Sequence, residues 1–433
     1  MKYKSIFFIS PPFYSHFNPL LNLAKSFKKA GVDVTIGCSI EFKNFVVDED
    51  LKFYEIDISS NKNVQKAEST DQPDTEKERL DEFFESTKKG AVETLITQSK
   101  HRRADMLYDP HKLIEDIKRI DETLAIDLYV VDILSYSVTL ALYSLNLDFI
   151  TYCPPHPFTI PDQEMNYGVP KYWPSAISVE ENDLERLKEV SKSTQKEFTE
   201  VFNQIISEKN KVDQIDNAFS LISDLAVVYN YFDFNHNEEI ETIPYKIYAG
   251  NSFEEKELDS PWKNIVDNKK MKILITLGTF LSNRKDVLKK LIEYTKETYP
   301  EAIIIVSAGE NAKELEEYSS NNILIKDFIP QIALMPYMDL VIFHGGCNTF
   351  TEAMYYGKDM LVLPFSSDQF NIAHDIEKNE LGAILDPNHF NYNDMKTAFE
   401  KIENMLKDSL KYFSQISQNR GTDYVAKIIL GIE

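Results

Sequence analysis

The residues whose types and spacing suggest chemistry are concentrated between Phe328 and Gln369. They are Phe328, Gln331, His344, Gly345, Gly346, Asn348, Thr349, Glu352, Asp368 and Gln369. An apolar run that predicts a strand ends at Phe343, and a helix is predicted to begin near Asn348. A helix N-terminus there would offer unpaired backbone N–H groups and partial positive charge, which favour phosphate. The spacing therefore predicts an anion site, beside which a histidine can donate a hydrogen bond or carry positive charge.

Polar side chains that suit hydroxyl groups follow this predicted anion site. Glu352 lies one turn further along the same predicted helix, where its carboxylate can accept hydrogen bonds from two vicinal hydroxyls. Asp368 and Gln369 come after the next strand and offer both acceptors and donors. Because the carboxyl ends of parallel strands share one edge of a sheet, these groups together predict a pocket for a nucleotide diphosphate sugar.

A second candidate site lies in the first half of the chain. His16 follows the first predicted strand, and Asp132 ends a later strand of the same predicted sheet. Histidine exchanges protons near neutral pH, and an aspartate beside it fixes the tautomer and stabilises the imidazolium. A structural histidine and a helix cap near Ser135 are the alternative interpretations of these two residues. Their occurrence together with the predicted sugar pocket favours a catalytic pair.

The elements that must position these residues form two series of alternating strands and helices. The first comprises apolar runs at 5–10, 32–36, 128–131 and 149–152, and the second comprises runs at 273–277, 302–307, 323–328, 340–343 and 360–363. Two such series predict two Rossmann-like, doubly wound α/β domains. We place them at residues 1–240 and 241–433, with the last helix packing back on the first domain. The charged stretch 180–212 predicts a long exposed helix without a motif.

Composition excludes several classes of protein. The 433 residues include 70 acidic and 47 basic side chains, a net charge of −23, which disfavours nucleic acid as a partner. Cys38, Cys153 and Cys347 are odd in number and far apart, which predicts a reducing, cytoplasmic compartment and neither a disulfide framework nor a zinc site. The first apolar run is too short for a signal peptide or a membrane span, so we expect no stable membrane insertion.

The motifs resemble those of a known family. The Pro-Gln, His-Gly-Gly, Asn-Thr, Glu and Asp-Gln series is similar to the donor box of family 1 glycosyltransferases, which use UDP-sugars and have the GT-B fold. His16-Phe17-Asn18-Pro19 resembles the family's His-x-x-Pro start, and the segment around Asp132 resembles that of macrolide-type members. The resemblance is dense over 273–382, sparse over 13–31 and 128–152, and absent elsewhere. It implies two Rossmann-like domains that face a central cleft.

The resemblance also implies roles for the donor-binding residues. Phe328, where the family usually has Trp, would stack on the uracil. His344, Asn348 and Thr349 would hold the diphosphate, Glu352 the ribose, and Asp368 and Gln369 the sugar. Gln331, Gly345 and Gly346 belong to the same box, and Thr279 in the turn Thr276-Leu277-Gly278-Thr279 would reach the β-phosphate.

In the first domain, the resemblance makes His16 the general base and Asp132 its carboxylate partner. The family normally has Gly before this histidine, whereas this chain has Ser15. Five aromatic residues of the first domain either wall an acceptor pocket or pack in the core: Tyr152, Phe158, Tyr167, Tyr172 and Trp173.

The implied activity is inverting, metal-independent transfer of a hexose, glucose, from UDP-glucose to a hydroxyl of a small lipophilic acceptor such as a phenol, polyketide or macrolide. The UDP-sugar is a co-substrate, and we expect no cofactor. Three alternatives stay open: a TDP-deoxysugar-dependent natural-product glycosyltransferase, a glycolipid-forming glycosyltransferase, and a non-catalytic nucleotide-sugar sensor. We expect a monomer or a homodimer.

Overall fold

The computed structural model describes residues 2–64, 74–105, 107–209, 212–234 and 244–432. Two sheets lie within these residues, and every strand pairing in both sheets is parallel. Helices cover both faces of each sheet, which explains why the strands read as continuous apolar runs. The α/β class and the two doubly wound units predicted from the sequence are thereby confirmed.

The first sheet and its helices occupy the first part of the chain. In chain order the elements are β1 (Ser5–Ile9), α1 (Tyr14–Lys29), β2 (Asp33–Cys38), α2 (Lys43–Val47), β3 (Lys52–Glu55), α3 (Asp74–Lys89), α4 (Ala91–Asp105), α5 (Pro110–Leu124), β4 (Leu128–Asp132), α6 (Tyr136–Leu145), β5 (Phe149–Cys153), α7 (Glu181–Lys209), β6 (Ala226–Tyr229) and β7 (Tyr245–Tyr248).

The second sheet and its helices complete the chain. Their order is α8 (Ser260–Val266), β8 (Lys272–Thr276), α9 (Gly278–Leu281), α10 (Lys285–Thr298), β9 (Ile303–Ser307), β10 (Ile323–Lys326), α11 (Gln331–Leu334), β11 (Leu340–Phe343), α12 (Cys347–Tyr355), β12 (Asp359–Val362), α13 (Gln369–Lys378), β13 (Gly382–Ile384), α14 (Tyr392–Glu403), α15 (Asp408–Asn419) and α16 (Thr422–Leu430).

Strand order places a crevice in each sheet. The first sheet runs β3-β2-β1-β4-β5-β6-β7 and the second β10-β9-β8-β11-β12-β13. The order therefore reverses between β1 and β4 in one sheet, and between β8 and β11 in the other. In open α/β sheets, ligands bind beyond the carboxyl ends of the strands at such a reversal. His16 and Asp132 lie at the first crevice, and the Thr276 turn and His344 lie at the second.

Several elements differ from the sequence prediction. The first sheet continues to β7, which lies beyond residue 240, where we place the end of the first domain. The predicted boundary itself falls within residues 235–243, which lie outside the described residues. The predicted apolar runs do not include β3, β6, β7 and β13, which have three or four residues each. Helix α7 is not simply exposed, since Leu187, Phe198 and Phe202 on one face are buried.

The C-terminal helix returns to the first domain. Val425, Ala426 and Leu430 of α16 are buried in the same apolar cluster as residues of β1, α1 and β2. At the start of the helix, the hydroxyl of Ser26 on α1 donates to Asp423 at 2.7 Å. Residues of the C-terminal helix therefore contribute to the hydrophobic core of the first domain.

Candidate active site

His16 and Asp132, 116 residues apart in sequence, form a direct pair. Nδ1 of His16 lies 2.9 Å from Oδ2 of Asp132 and 3.1 Å from Oδ1. Asp132 is fully buried at the end of β4, where its Oδ1 also accepts the backbone N–H of Leu134 at 2.9 Å. The side chain of His16 stays 15% exposed. A carboxylate at Nδ1 requires a proton there, so Nε2 is the basic nitrogen available to an acceptor hydroxyl.

The turn that carries His16 also contacts the second domain. Pro19 lies inside helix α1 and has no backbone N–H, so the carbonyl of Ser15, four residues earlier, lacks its usual helical donor. This carbonyl accepts a hydrogen bond from Nδ2 of Asn348 at 2.9 Å. Asn348 Oδ1 in turn accepts from Nδ2 of Asn230 at 3.3 Å. The predicted diphosphate ligand Asn348 therefore contacts the turn that carries the predicted base.

Two glycines enclose the ring of His344. Gly278 has a φ of +73°, and a Cβ there would lie 2.6 Å from Cε1 of His344. Gly346, which begins helix α12 and has no side chain to cap it, faces the same ring closely. Gly345 has a φ of +86°, a conformation that other residues rarely adopt. The fold thus needs small residues at 278 and 346 to pack His344 beside the first turn of α12.

The environment of His344 decides its charge. Burial lowers the pKa of His344 to about 4, although the backbone of Thr276 acts in the opposite direction. Nδ1 is buried and has no hydrogen-bond partner among the described residues. His344 is consequently neutral near pH 7. Of the two roles considered from the sequence, hydrogen-bond donation is the one that this environment supports.

Glu352, Gln331 and Thr349 form one buried cluster next to this helix start. Nε2 of Gln331 donates to Oε2 of Glu352 at 2.7 Å and lies 3.2 Å from the hydroxyl oxygen of Thr349. Burial raises the pKa of Glu352 to about 7, against the lowering effect of the Gln331 hydrogen bond. Gln331 therefore orients the carboxylate, and the carboxylate is only partly ionised at neutral pH.

Phe328 and Thr279 are two further predicted contacts of the nucleotide. Phe328 lies in the loop after β10 and is 61% exposed, so its ring face is open to a stacking partner. It lies beyond β10, which ends at Lys326 rather than at the predicted residue 328. The backbone of Thr279 belongs to α9, whereas its side chain lies outside the described part of the structure.

Asp368 and Gln369 lie at the start of α13 in different surroundings. Oδ2 of Asp368 accepts the backbone N–H of His156 at 3.0 Å. Burial raises the pKa of Asp368, while His156 and the charge of His16 act in the opposite direction. Gln369 is turned into its own loop, where Oε1 accepts the backbone N–H of Phe365 at 2.9 Å. Asp368 therefore lies within electrostatic reach of His16, and Gln369 supports its own loop.

Sequence reasoning missed His156, which joins the two domains. This histidine follows β5, is 2% exposed, and its Nε2 lies 3.0 Å from Oδ2 of Asp375 in α13. The hydroxyl of Tyr231 donates to the same carboxylate oxygen at 3.0 Å. A usable signal existed, because His156, like His16 and Asp132, comes just after a predicted strand of the first sheet.

The other sequence predictions concern the aromatic residues of the first domain, the cysteines, membrane spans and metal ligands. Tyr152 and Tyr167 are buried in the first domain, whereas Tyr172 reaches α13, where its ring stacks on His374 at 4.7 Å. The three cysteines are unpaired and buried. No helix in the described ranges has the length and apolarity needed to cross a membrane. Among the same residues, no group of three or more His, Cys, Asp and Glu is arranged to hold a metal ion.

Comparison with known proteins agrees with this geometry. The chain is similar to the uncharacterized UDP-glucosyltransferase YojK of Bacillus subtilis (strain 168), with 24% identity over 43% of this chain and 46% of that protein. It is 22% identical to the zeaxanthin glucosyltransferase of Pantoea ananas over 86% of this chain and 83% of that one. The crystal structure of the glycotransferase of kitacinnamycin superposes with a TM-score of 0.67 over 100% of this chain and 99% of that chain, at 15% identity. The fold is therefore GT-B.

The matches differ in how much of the molecule they cover. The matched segment is less than half of the Bacillus protein's length. The family model described as UDP-glucoronosyl and UDP-glucosyl transferase matches residues 177–433, more than half of the 433-residue chain. This protein therefore belongs to the UDP-glucoronosyl and UDP-glucosyl transferase family.

Proposed function

We propose that this protein is an inverting glycosyltransferase that moves glucose from UDP-glucose to a hydroxyl of a small lipophilic acceptor such as a phenol, polyketide or macrolide. The observation that carries the proposal is the 2.9 Å pair of His16 and Asp132 at the crevice that faces the donor half. A protein that only senses nucleotide sugars has no need of a general base there.

The reaction is a single displacement at the anomeric carbon. Nε2 of His16 takes the proton of the acceptor hydroxyl as the acceptor oxygen bonds to the anomeric carbon, and Asp132 stabilises the imidazolium that forms. The bond from the anomeric carbon to the β-phosphate oxygen breaks, and UDP leaves with the electron pair. Attack from the face opposite to the leaving group inverts the anomeric configuration.

The leaving diphosphate is stabilised by neutral donors. The first turn of α12, Thr279 and neutral His344 are the groups proposed to face it. The unpartnered, buried Nδ1 of His344 supports this role, because such a nitrogen gains a hydrogen bond only from a ligand or water. With these donors the proposed mechanism uses no metal ion. The unpaired cysteines support action in the cytoplasm. We propose that the protein acts there as a monomer or homodimer.

The test is mass-spectrometric detection of hexosylated product from UDP-glucose and a mixed panel of phenols, flavonoids and macrolides. Wild type should give an adduct, and His16→Ala should bind UDP-glucose without making product. His389→Ala is the matched control, since His389 also pairs with an aspartate, Asp386, at 2.9 Å, but on the surface. The anomeric configuration of the product, read by NMR, tests inversion.

Each result has a defined meaning. Equal product from wild type and His16→Ala would contradict the general-base role. UDP-glucose binding without product from any acceptor class would favour a sensor. Product from a thymidine-linked deoxysugar and none from UDP-glucose would replace the proposed donor, and product formed only on lipid acceptors would replace the acceptor class.

A further inference from the structure

His156, which belongs to the first domain, contacts helix α13 of the second domain and the residue that precedes it. Its backbone N–H donates to Oδ2 of Asp368 at 3.0 Å, and its ring nitrogen Nε2 lies 3.0 Å from Oδ2 of Asp375. Asp368 immediately precedes α13, and Asp375 lies seven residues further on, so both carboxylates are on the same side of the helix. One residue of the first domain therefore holds two turns of the helix that carries a predicted sugar ligand.

The ring of His156 is fixed in one tautomer. Nδ1 accepts the backbone N–H of Phe158 at 3.0 Å, so the ring proton is on Nε2 and is donated to Asp375. Tyr231 packs edge-on against the ring at 4.7 Å between centroids and donates its own hydroxyl to Asp375. Burial would raise the pKa of Asp375, but the hydrogen bonds with His156, His374 and Tyr231 outweigh it and hold the pKa at about 2. Asp375 is thus a charged anchor at neutral pH.

The backbone contact leaves Asp368 with a defined orientation. Its Oδ2 is occupied by the His156 N–H, so Oδ1 is the oxygen left to accept from a sugar hydroxyl. A carboxylate that is not held in this way would lose side-chain freedom on binding sugar, which weakens binding. The orientation exists only when the loop after β5 lies against α13.

We propose that His156 is a positioning residue for the donor sugar, which anchors to Asp375 through its ring and thereby sets Asp368 for the sugar hydroxyls when the two domains are together. This inference rests on the proposed function, since it takes Asp368 as a sugar ligand. The contacts of His156 with Asp368 and Asp375 concern the sugar and not the nucleotide end of the donor. Their loss should therefore weaken the binding of UDP-glucose more than the binding of UDP.

Two amide variants distinguish the roles of the two ring nitrogens of His156. In His156→Gln the side-chain amide nitrogen reaches the position of Nε2 and can still donate to Asp375. In His156→Asn the shorter amide can replace Nδ1 toward Phe158 but cannot reach Asp375. Ser175→Ala is the control, because Ser175 also joins the first domain to α13, through Glu377, at the opposite end of the helix.

The measurements are dissociation constants for UDP-glucose and for UDP by calorimetry, with KM and kcat for UDP-glucose. His156→Asn should weaken UDP-glucose binding on the order of tenfold, as expected for a carboxylate that loses a fixed hydrogen bond. It should change UDP binding less than about twofold. His156→Gln should recover most of the UDP-glucose affinity, and Ser175→Ala should resemble wild type in both constants.

Three outcomes would overturn the inference. They are equal losses of UDP and UDP-glucose affinity in His156→Asn, no loss of either, or identical behaviour of the Asn and Gln variants. Each of these outcomes is judged against a wild-type protein that binds UDP-glucose and transfers glucose. A wild type that binds no nucleotide sugar would instead contradict the proposed function itself.

Discussion

At the scale of single residues, the site depends on where two carboxylates place their hydrogen bonds. Asp132 accepts hydrogen bonds from both His16 Nδ1 and the backbone N–H of Leu134, so the same side chain orients the proposed base and shapes the loop after β4. Glu352 is buried and shares Nε2 of Gln331 with Thr349. In the proposed mechanism the first carboxylate serves proton transfer and the second serves donor binding, so their variants should fail in different ways.

Replacing Asp132 by Asn should remove transfer and spare the fold. The amide oxygen can still accept the Leu134 N–H, but the amide nitrogen opposes the proton on Nδ1 and favours the wrong tautomer of His16. We expect kcat to fall roughly 10³-fold or more, with unchanged UDP-glucose binding, measured by steady-state kinetics and calorimetry. Asp386→Asn is the matched control, because Asp386 also binds a histidine and the N–H two residues ahead, at 2.9 and 2.8 Å, in an exposed turn. A kcat equal to wild type in Asp132→Asn would contradict the assignment.

Glu352 should make both stability and donor binding depend on pH. Burial raises its pKa from 4.5 to about 7, so the folded state holds a proton that the unfolded state loses. Its contribution to stability therefore falls as pH rises from about 4.5 to about 7 and stays constant above. Glu352→Gln should be more stable than wild type at pH 8, by up to about 3 kcal/mol, in urea unfolding.

The ionisation of Glu352 should affect the affinity for UDP-glucose in the opposite direction to its effect on stability. The ribose hydroxyls need the ionised carboxylate, so UDP-glucose affinity should increase between pH 6 and 8 in wild type and stay level in Glu352→Gln. Glu403→Gln, which changes an exposed carboxylate bonded to Tyr299, should leave the wild-type profile unchanged. A flat wild-type profile would show that Glu352 does not bind the ribose as a carboxylate.

At the scale of elements, helices α1 and α16 show how distant segments complete the first domain. Pro19 interrupts the hydrogen bonding of α1 at the carbonyl of Ser15, which then accepts from Asn348 of the other domain. On the neighbouring face, α16 buries Val425 and Leu430 in the core around β1. The first helix thus contributes to the cleft at one end and to a shared core along its side.

Shortening Leu430 should destabilise the first domain. Leu430 is 1% exposed in that shared core, and Leu430→Ala should lower the free energy of unfolding by roughly 2–4 kcal/mol. Hydrogen exchange in α1 should become faster, because its packing partner is loosened. Ile432→Ala, at a residue 38% exposed, is the matched control and should change little. Unchanged exchange in α1 would mean that α16 is not needed for the stability of the first domain.

At the scale of the whole molecule, the net charge of −23 opposes an anionic donor. The predicted donor-binding residues include no Lys or Arg, so recognition of the diphosphate relies on neutral donors over a short range. The overall field acts over a longer range and is screened by salt, with a Debye length of about 8 Å at physiological ionic strength. The field should therefore affect the encounter with UDP-glucose and leave a neutral acceptor unaffected.

Salt should consequently improve the use of the donor. Between about 20 and 200 mM KCl, we expect KM for UDP-glucose to fall a few-fold while KM for an uncharged phenol stays constant. Steady-state kinetics with each substrate varied in turn measures both values. A donor KM that rises with salt would show that local positive charge dominates the site.

The sequence by itself determined the types of group in the site and the alternation of strands and helices. Spacing within one strand–helix unit is local, so His344, the glycines and Glu352 could be recognised as parts of one helix start. Short strands such as β13, with three residues, carry too little pattern to be read in this way. The buried face of α7 was missed because its apolar residues are spread through a highly charged stretch.

Only the tertiary structure decided which of these groups meet. The pairs His16 with Asp132, Asn348 with the Ser15 carbonyl, and His156 with Asp375 join residues 116, 333 and 219 positions apart. Strand order creates the first of these contacts, because it brings the carboxyl ends of β1 and β4 to one crevice. The other two contacts exist because the two domains pack against each other. Burial, which neutralises His344 and raises the pKa of Glu352, likewise depends on what packs around a residue rather than on its neighbours in sequence.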